Sequence, residues 1–189
     1  MTVTTSTKMT FAEFLNYDDG TDTMYELENG ELIPLPSESD INQRIAIFLL
    51  VYFSQMGIPY YCLRMKAEIA VHSRRVGVRV PDLVVYSEEL ARIMTGSPRS
   101  MVYMDMPPPL LVVEVVSPNQ INRDYRYKRS EYAARGIGEY WIVDPISQKV
   151  TVLVWVEGFY EEKVYTGDQA IASVVFADLK LTAAEVLQG

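Results

Sequence analysis

Histidine and cysteine are almost missing from this chain of 189 residues, which has one of each, His72 and Cys62. A lone cysteine excludes an internal disulfide framework. The two together cannot supply the four nitrogen or sulfur ligands of a structural zinc site. Ser–His–Asp and Cys–His catalysis would both have to run on the single histidine. Any chemistry therefore falls to carboxylates, Lys, Arg, Tyr or a hard metal ion. Long hydrophobic runs are lacking too. The longest, residues 45–53, has nine residues, far short of the ~20 that cross a bilayer. The Thr/Ser-rich start, MTVTTSTK, has no apolar stretch of signal-peptide length. These absences lead us to expect a cytoplasmic protein with no membrane partner.

What remains is a globular composition, 49% hydrophobic and 22% charged, unlike that of a disordered chain. The length suits one domain able to bury roughly 70% of its unfolded surface. We read residues 1–9 as a loose N-terminus and residues 10–189 as that domain. The net charge of −8 argues against nucleic acid at first sight, but it is unevenly spread. Residues 1–40 carry a net −8, residues 41–136 a net +5 and residues 137–189 a net −5. In the basic middle block Arg64, Lys66, Arg74, Arg75 and Arg79 form one cluster, and Arg123, Arg126, Lys128 and Arg129 another. Such clusters are either solvated faces or phosphate-binding surfaces, and charge alone does not separate the two.

Thr10 with Glu13 is a capping box that opens a short helix to about Tyr17. YELENGELIP at 25–34 is two alternating runs about Asn29-Gly30, the strongest short hairpin signal. From Asp40, apolar residues recur at helical spacing until Gly57, the natural stop. Three strands are expected next, over 60–71, 78–86 and 110–116. The last two are apolar on both faces, as interior strands are. Residues 87–109, with Gly96 and three consecutive prolines at 107–109, read as one long connection. A helix over 122–135 carries Asp124/Lys128 and Glu131/Arg135 as i, i+4 pairs and stops at Gly136. A strand over 139–143 follows, then a hairpin over 150–165 turning at Glu157-Gly158, a short strand and a helix from about Thr182. The order is that of an α/β fold, and a helix between two strands suits a parallel crossover.

Two carboxylates stand out of place. Glu114 lies in the middle of LLVVEVV, an otherwise apolar strand. An isolated buried carboxylate is costly, so it must be ion-paired, protonated or metal-bound. Asp82 lies early in RVPDLVVY, either as a turn residue after Pro81 or as a second ligand. Alternation gives Val80, Asp82 and Val84 a shared face on one strand, and Val112, Glu114 and Val116 a shared face on another. If the strands are neighbours, the carboxylates converge. Two hard oxygen ligands on a rigid sheet suit Mg²⁺.

Pro81-Asp82 followed by Glu114 in an apolar strand resembles the PD-(D/E)XK nuclease superfamily, with its restriction-endonuclease-like fold. More closely, the chain resembles the Uma-Two family of endonuclease-like proteins within it. The matching stretches are YELENGEL at 25–32, RVPDLVVYS at 79–87, LLVVEVVSP at 110–118 and EYWIVDP at 139–145. NRDYRYKRSEYAARGI at 122–137 matches the family's Asp-x-x-x-Lys helix at Asp124 and Lys128. The resemblance runs from about Thr10 to the C-terminus. It implies a mixed-sheet α/β core flanked by helices, with an N-terminal helix–hairpin and a C-terminal β-hairpin extension.

The resemblance also implies hydrolysis of DNA phosphodiester bonds that depends on Mg²⁺ or Mn²⁺. Asp82, Glu114 and the Val115 carbonyl would hold the metal, with Lys128 as the catalytic lysine. In the superfamily's simple form that lysine stands two residues after the Glu, a place held here by the apolar Val116. Lys128 would reach the same space from a helix, with little effect on stability when removed. Its alternative is a solvated i, i+4 partner of Asp124, itself a candidate accessory residue. Asn42 stands where many relatives carry His, which limits it to hydrogen bonding. Glu26 matches the family's early Glu and either reaches the metal or pairs with an Arg on an exposed hairpin. Arg74, Arg75, Arg79, Arg123, Arg126 and Arg129 would hold the phosphate backbone, and a homodimer would bring two sites to a duplex. Two other readings stand beside this one. A nuclease-fold binding module without turnover is favoured by Val116 and the acidic total charge, and a metal-dependent hydrolase of small phosphate esters is the third.

Overall fold

The structure is a computed structural model that describes residues 8–72, 75–118 and 123–189. The capping box forms as read: Thr10 and Glu13 bond reciprocally and open α1, Phe11–Leu15. The hairpin consists of β1, Tyr25–Glu28, and β2, Glu31–Pro34. Asn29 (φ 51°) and Gly30 (φ 85°) at its turn are both left-handed, the type I′ geometry that matches strand twist. Ser39 caps α2, Asp40–Gln55, which ends just before Gly57.

The stretch expected as one strand over 60–71 is broken. A helical turn at Tyr60–Cys62 leads into β3, Leu63–Met65, and the chain then enters a different sheet as β4, Glu68–His72. Between the two strands Lys66 has φ 55°, a left-handed conformation that extended strands do not contain. The stretch over 78–86 divides likewise into β5, Val76–Arg79, and β6, Leu83–Val85. Pro81 lies at that break, where no ladder N–H is needed. The connection over 87–109 has structure of its own. Ser87 caps α3, Glu88–Met94, and β7, Met101–Val102, runs parallel to β4.

β8 is Leu111–Val115. The crossover after it opens with a wide π-type helical stretch, Arg123–Lys128, which continues directly into α4, Arg129–Arg135, and stops at left-handed Gly136. The helix start expected at Asn122 lies outside the described residues. β9, Glu139–Asp144, pairs parallel with β8, as a helical crossover permits. β10, Lys149–Val156, and β11, Phe159–Tyr165, form the second hairpin. The expected short strand is a single bridge between Ala170 and Thr182, and α5, Ala183–Gln188, follows.

The strands form two mixed sheets, in the orders β2-β1-β5-β4-β7 and β11-β10-β9-β8-β6-β3. The six-stranded sheet is covered on both faces. On one, Ile45, Leu49 and Phe53 of α2 and Val186 of α5 pack on Leu111, Val113 and Trp141. On the other, Leu90 of α3 and Tyr132 of α4 pack on Val112, Val116 and Tyr140. Hence β8 reads apolar at every position except Glu114, which is in step with Val112 on the α4 side. The first hairpin is drawn hard against β5, since a Cβ on Gly77 would meet the Leu27 carbonyl oxygen at 2.6 Å. That approach carries Glu26 into the interior. Met9 N–H donates to the Gly30 carbonyl at 2.9 Å, which ties the end of the segment read as loose to the hairpin. Residues 1–7 lie outside the described residues. Among the described residues, no helix is long and apolar enough to cross a membrane.

Candidate active site

Asp82 sits where the chain passes from β5 to β6. Its N–H donates to the Val113 carbonyl at 3.1 Å, and its Oδ2 accepts the Val115 N–H at 2.6 Å. Two backbone bonds thus fix it to β8, beside Glu114. Glu114, 4% exposed, accepts the Tyr132 hydroxyl on Oε1 at 2.8 Å and faces Lys128 Nζ with Oε2 at 2.8 Å. Lys128 is 2% exposed, and its ammonium also lies 3.0 Å from Asp124 and 3.4 Å from Glu26. It projects from the π-type stretch, a local irregularity that often marks functional sites. Asn42 Nδ2 donates to the Val115 carbonyl at 3.2 Å and to Ser117 Oγ at 3.1 Å. One cavity of about 30 Å³ is bordered by Asp82, Glu114, Val115, Asn42 and Lys128, together with Glu38 and Lys66. Residues read from four separate stretches of sequence therefore converge.

The carboxylates around this cavity are shifted in opposite directions. Burial raises Glu26, but Lys128, Arg79 and Arg123 overcome it and hold the carboxyl at about 2. Glu114 is pushed up to about 8, by burial first and then by the charges of Asp124, Asp82 and Glu26, which Lys128 does not offset. Burial likewise raises Asp124, against the attraction of Lys128. Lys128 is held charged, because Glu114, Glu26 and Asp124 outweigh the effect of its burial. Lys128 is shared by Glu114, Asp124 and Glu26, and Glu26 is held by Arg79 and Arg123 as well. Asp82 and Glu114 border the same cavity.

Two carboxylates and one backbone carbonyl border the cavity. Among the described residues, no group of three or more His, Cys, Asp or Glu is placed to hold a metal. A cation here would rest on Asp82, Glu114 and the Val115 carbonyl, a sparse oxygen set of the kind Mg²⁺ takes while keeping its waters.

Several expectations are corrected. Arg79 does not face a nucleic acid: it is 0% exposed, bidentate to Glu131 at 2.6 and 3.0 Å, and paired with Glu26 and Glu28. Arg123 is likewise committed to Glu26 at 2.6 Å and Glu28 at 2.9 Å. Glu26 does pair with arginines, but it is buried rather than on an exposed hairpin. The Asp124/Lys128 pair forms inside the protein and not on a solvated face. Glu131 turns to Arg79, and Arg135 instead donates to the carbonyls of Tyr103 and Met106. Arg75 and Arg126 are exposed, and Arg129 pairs with Glu162. Arg74 lies outside the described residues. Asp144 is a turn acceptor for the N–H groups of Ile146 and Ser147.

Three residues of the site were not singled out from the sequence. Tyr132 follows Lys128 by one helical turn, a spacing that could have flagged it. Lys66, whose Nζ lies 2.5 Å from Asp82 Oδ1 and also contacts Glu38, had no local signal. Glu38, which contacts Lys66, had no local signal either.

Comparison with known proteins follows the same lines. No curated protein matches the chain. A crystal structure titled as that of "a putative nuclease belonging to DUF820", from Anabaena variabilis, superposes with a TM-score of 0.76 at 20% sequence identity, covering 95% of this chain and 97% of that one. The two share a fold. Residues 11–184 match the Uma2 family, described as "Putative restriction endonuclease". That match spans most of the sequence, and the chain belongs to the Uma2 family.

Proposed function

We propose that this chain is a divalent-metal-dependent endonuclease that hydrolyses DNA phosphodiester bonds at the cavity between β6, β8 and the Arg123–Lys128 stretch. The observation that carries the reading is the meeting of two strand carboxylates with a buried, charged lysine in a member of this family. The nuclease title of the Anabaena protein is consistent with it. Asp82, Glu114 and the Val115 carbonyl would hold Mg²⁺ or Mn²⁺. When bound, the cation would neutralise phosphate charge and acidify a water. Lys128, fixed by its contact with Glu114, presents a cation to the charge that develops on the phosphate. Tyr132 sets one oxygen of Glu114 and the Val115 N–H one oxygen of Asp82, so both carboxylates are oriented before substrate arrives. Arg75 and Arg126, both exposed, are left for salt-sensitive, sequence-blind contacts with the backbone.

Supercoiled plasmid with Mg²⁺ tests the activity. Conversion to nicked and linear forms, abolished by EDTA, is expected. Salt-dependent DNA binding with no conversion in Mg²⁺ or Mn²⁺ would assign a binding role instead.

A further inference from the structure

The cavity that holds Asp82, Glu114 and Lys128 is narrow. Its volume of about 30 Å³ is on the scale of one or two waters, too little for a phosphodiester. Asp82 is 7% exposed and its two partners less. Beside this cavity lies an open groove of about 380 Å³. Leu35, Pro36, Ser37, Glu38 and Lys66 line both spaces. Residues 35–38, which link β2 to α2, and the Lys66 side chain thus form a wall between the groove and the reactive groups.

One ionic bridge holds that wall. Lys66 Nζ is 2.5 Å from Asp82 Oδ1 and in contact with Glu38 Oε1. Its left-handed backbone (φ 55°) lies between β3 and β4, where the chain changes sheets. Non-glycine residues in that conformation cost free energy and cluster at functional sites. The Asp82 oxygen that Lys66 occupies faces away from Val115 N–H, which takes Oδ2, and it is the oxygen left to meet a metal.

We propose that Lys66 is a latch: its ammonium closes residues 35–38 over the site by bridging Glu38 to Asp82, and it competes with a divalent cation for Asp82. Cation binding releases the bridge, and the wall opens the groove to a phosphodiester. The competition rests on the metal reading above; the closure does not.

The full chain, Lys66→Met and Glu38→Gln would be compared by amide hydrogen exchange over residues 35–39 and by calorimetric titration with Mn²⁺. Lys66→Met keeps the side-chain length, and an unchanged circular dichroism spectrum verifies folding. Without metal, both variants are expected to exchange faster than the parent over 35–39, while α2 stays protected. In the parent, Mn²⁺ should produce the same acceleration. Lys66→Met should bind Mn²⁺ on the order of tenfold more tightly, the worth of one charge-assisted hydrogen bond. Unchanged metal-free exchange in both variants would overturn the latch. Unchanged or weaker Mn²⁺ binding by Lys66→Met would overturn the competition. If no chain binds Mn²⁺, the metal reading fails, and the metal-free exchange still decides the closure.

Discussion

The alternative to a catalytic Lys128 is half of a surface ion pair, and such pairs contribute only about 0.3–0.5 kcal/mol. Its ammonium instead lies among Glu114, Asp124 and Glu26 in the interior. Removing one partner of a buried ion pair leaves uncompensated charge and costs roughly 3–5 kcal/mol. We therefore predict that Lys128→Met lowers the urea midpoint as well as the cleavage rate, contrary to the expectation that stability would be spared. Glu114 itself gives a pH signature. Its carboxyl is raised to about 8 from an ordinary 4.5, so between those values the folded chain keeps a proton that the unfolded chain has released. Stability then falls as pH rises through that window, by up to about 1.4 kcal/mol per unit. Glu26 acts in the opposite sense, since its carboxyl is held at about 2 and its contribution disappears only as pH falls from about 4.5 toward 2. Urea unfolding at pH 5 and pH 8 should show the decline in the metal-free parent and a flatter response in Glu114→Gln. Asp82, Glu114 and Lys128 were legible because an ionisable group in an apolar strand, or at a motif spacing, is conspicuous. Tyr132 and Lys66 were not, because their roles arise from packing between elements.

Elements explain why the arginines were misread. β5, β1 and α4 meet at Arg79, whose guanidinium joins Glu26, Glu28 and Glu131. A basic run in sequence does not reveal which carboxylates the fold will bring to it. Arg79→Met should destabilise by about 3–5 kcal/mol, as for other broken buried pairs, without altering the salt dependence of DNA binding in the fraction that remains folded. Arg126→Ala should do the reverse, leaving the melting temperature unchanged and reducing the salt slope by about 1. Fluorescence anisotropy across a salt series would separate the two, and a reduced slope in Arg79→Met would restore that arginine to the DNA surface. The hairpins were legible from Asn29-Gly30 and Glu157-Gly158, where local turn chemistry decides the structure. The division of 60–71 and 78–86 between two sheets was not. Pro81 marks one break, but the other falls at Lys66, where nothing in the residue type requires it.

For the whole molecule, the basic block over 41–136 overstates the surface available to DNA. Arg79, Arg123 and Lys128 are neutralised internally by carboxylates from the hairpin and from α4. The remaining exposed arginines make a modest, salt-sensitive footprint, so binding should be weak at physiological ionic strength. A single site of the proposed kind would cut one strand, and cyclic two-fold dimers are the commonest oligomers. We predict a homodimer in solution; sedimentation of a single species of monomer mass at micromolar concentration would contradict it. The central claim is that Asp82, Glu114 and Lys128 form one reactive site. Its most direct test is the single-turnover rate of plasmid nicking in Mg²⁺, with enzyme in excess, for the parent, Asp82→Ala and Lys128→Met, each checked for folding. The account predicts no detectable metal-dependent nicking in Asp82→Ala and a loss on the order of 10²-fold or more in Lys128→Met. Nicking at the parent rate in either folded variant would contradict it.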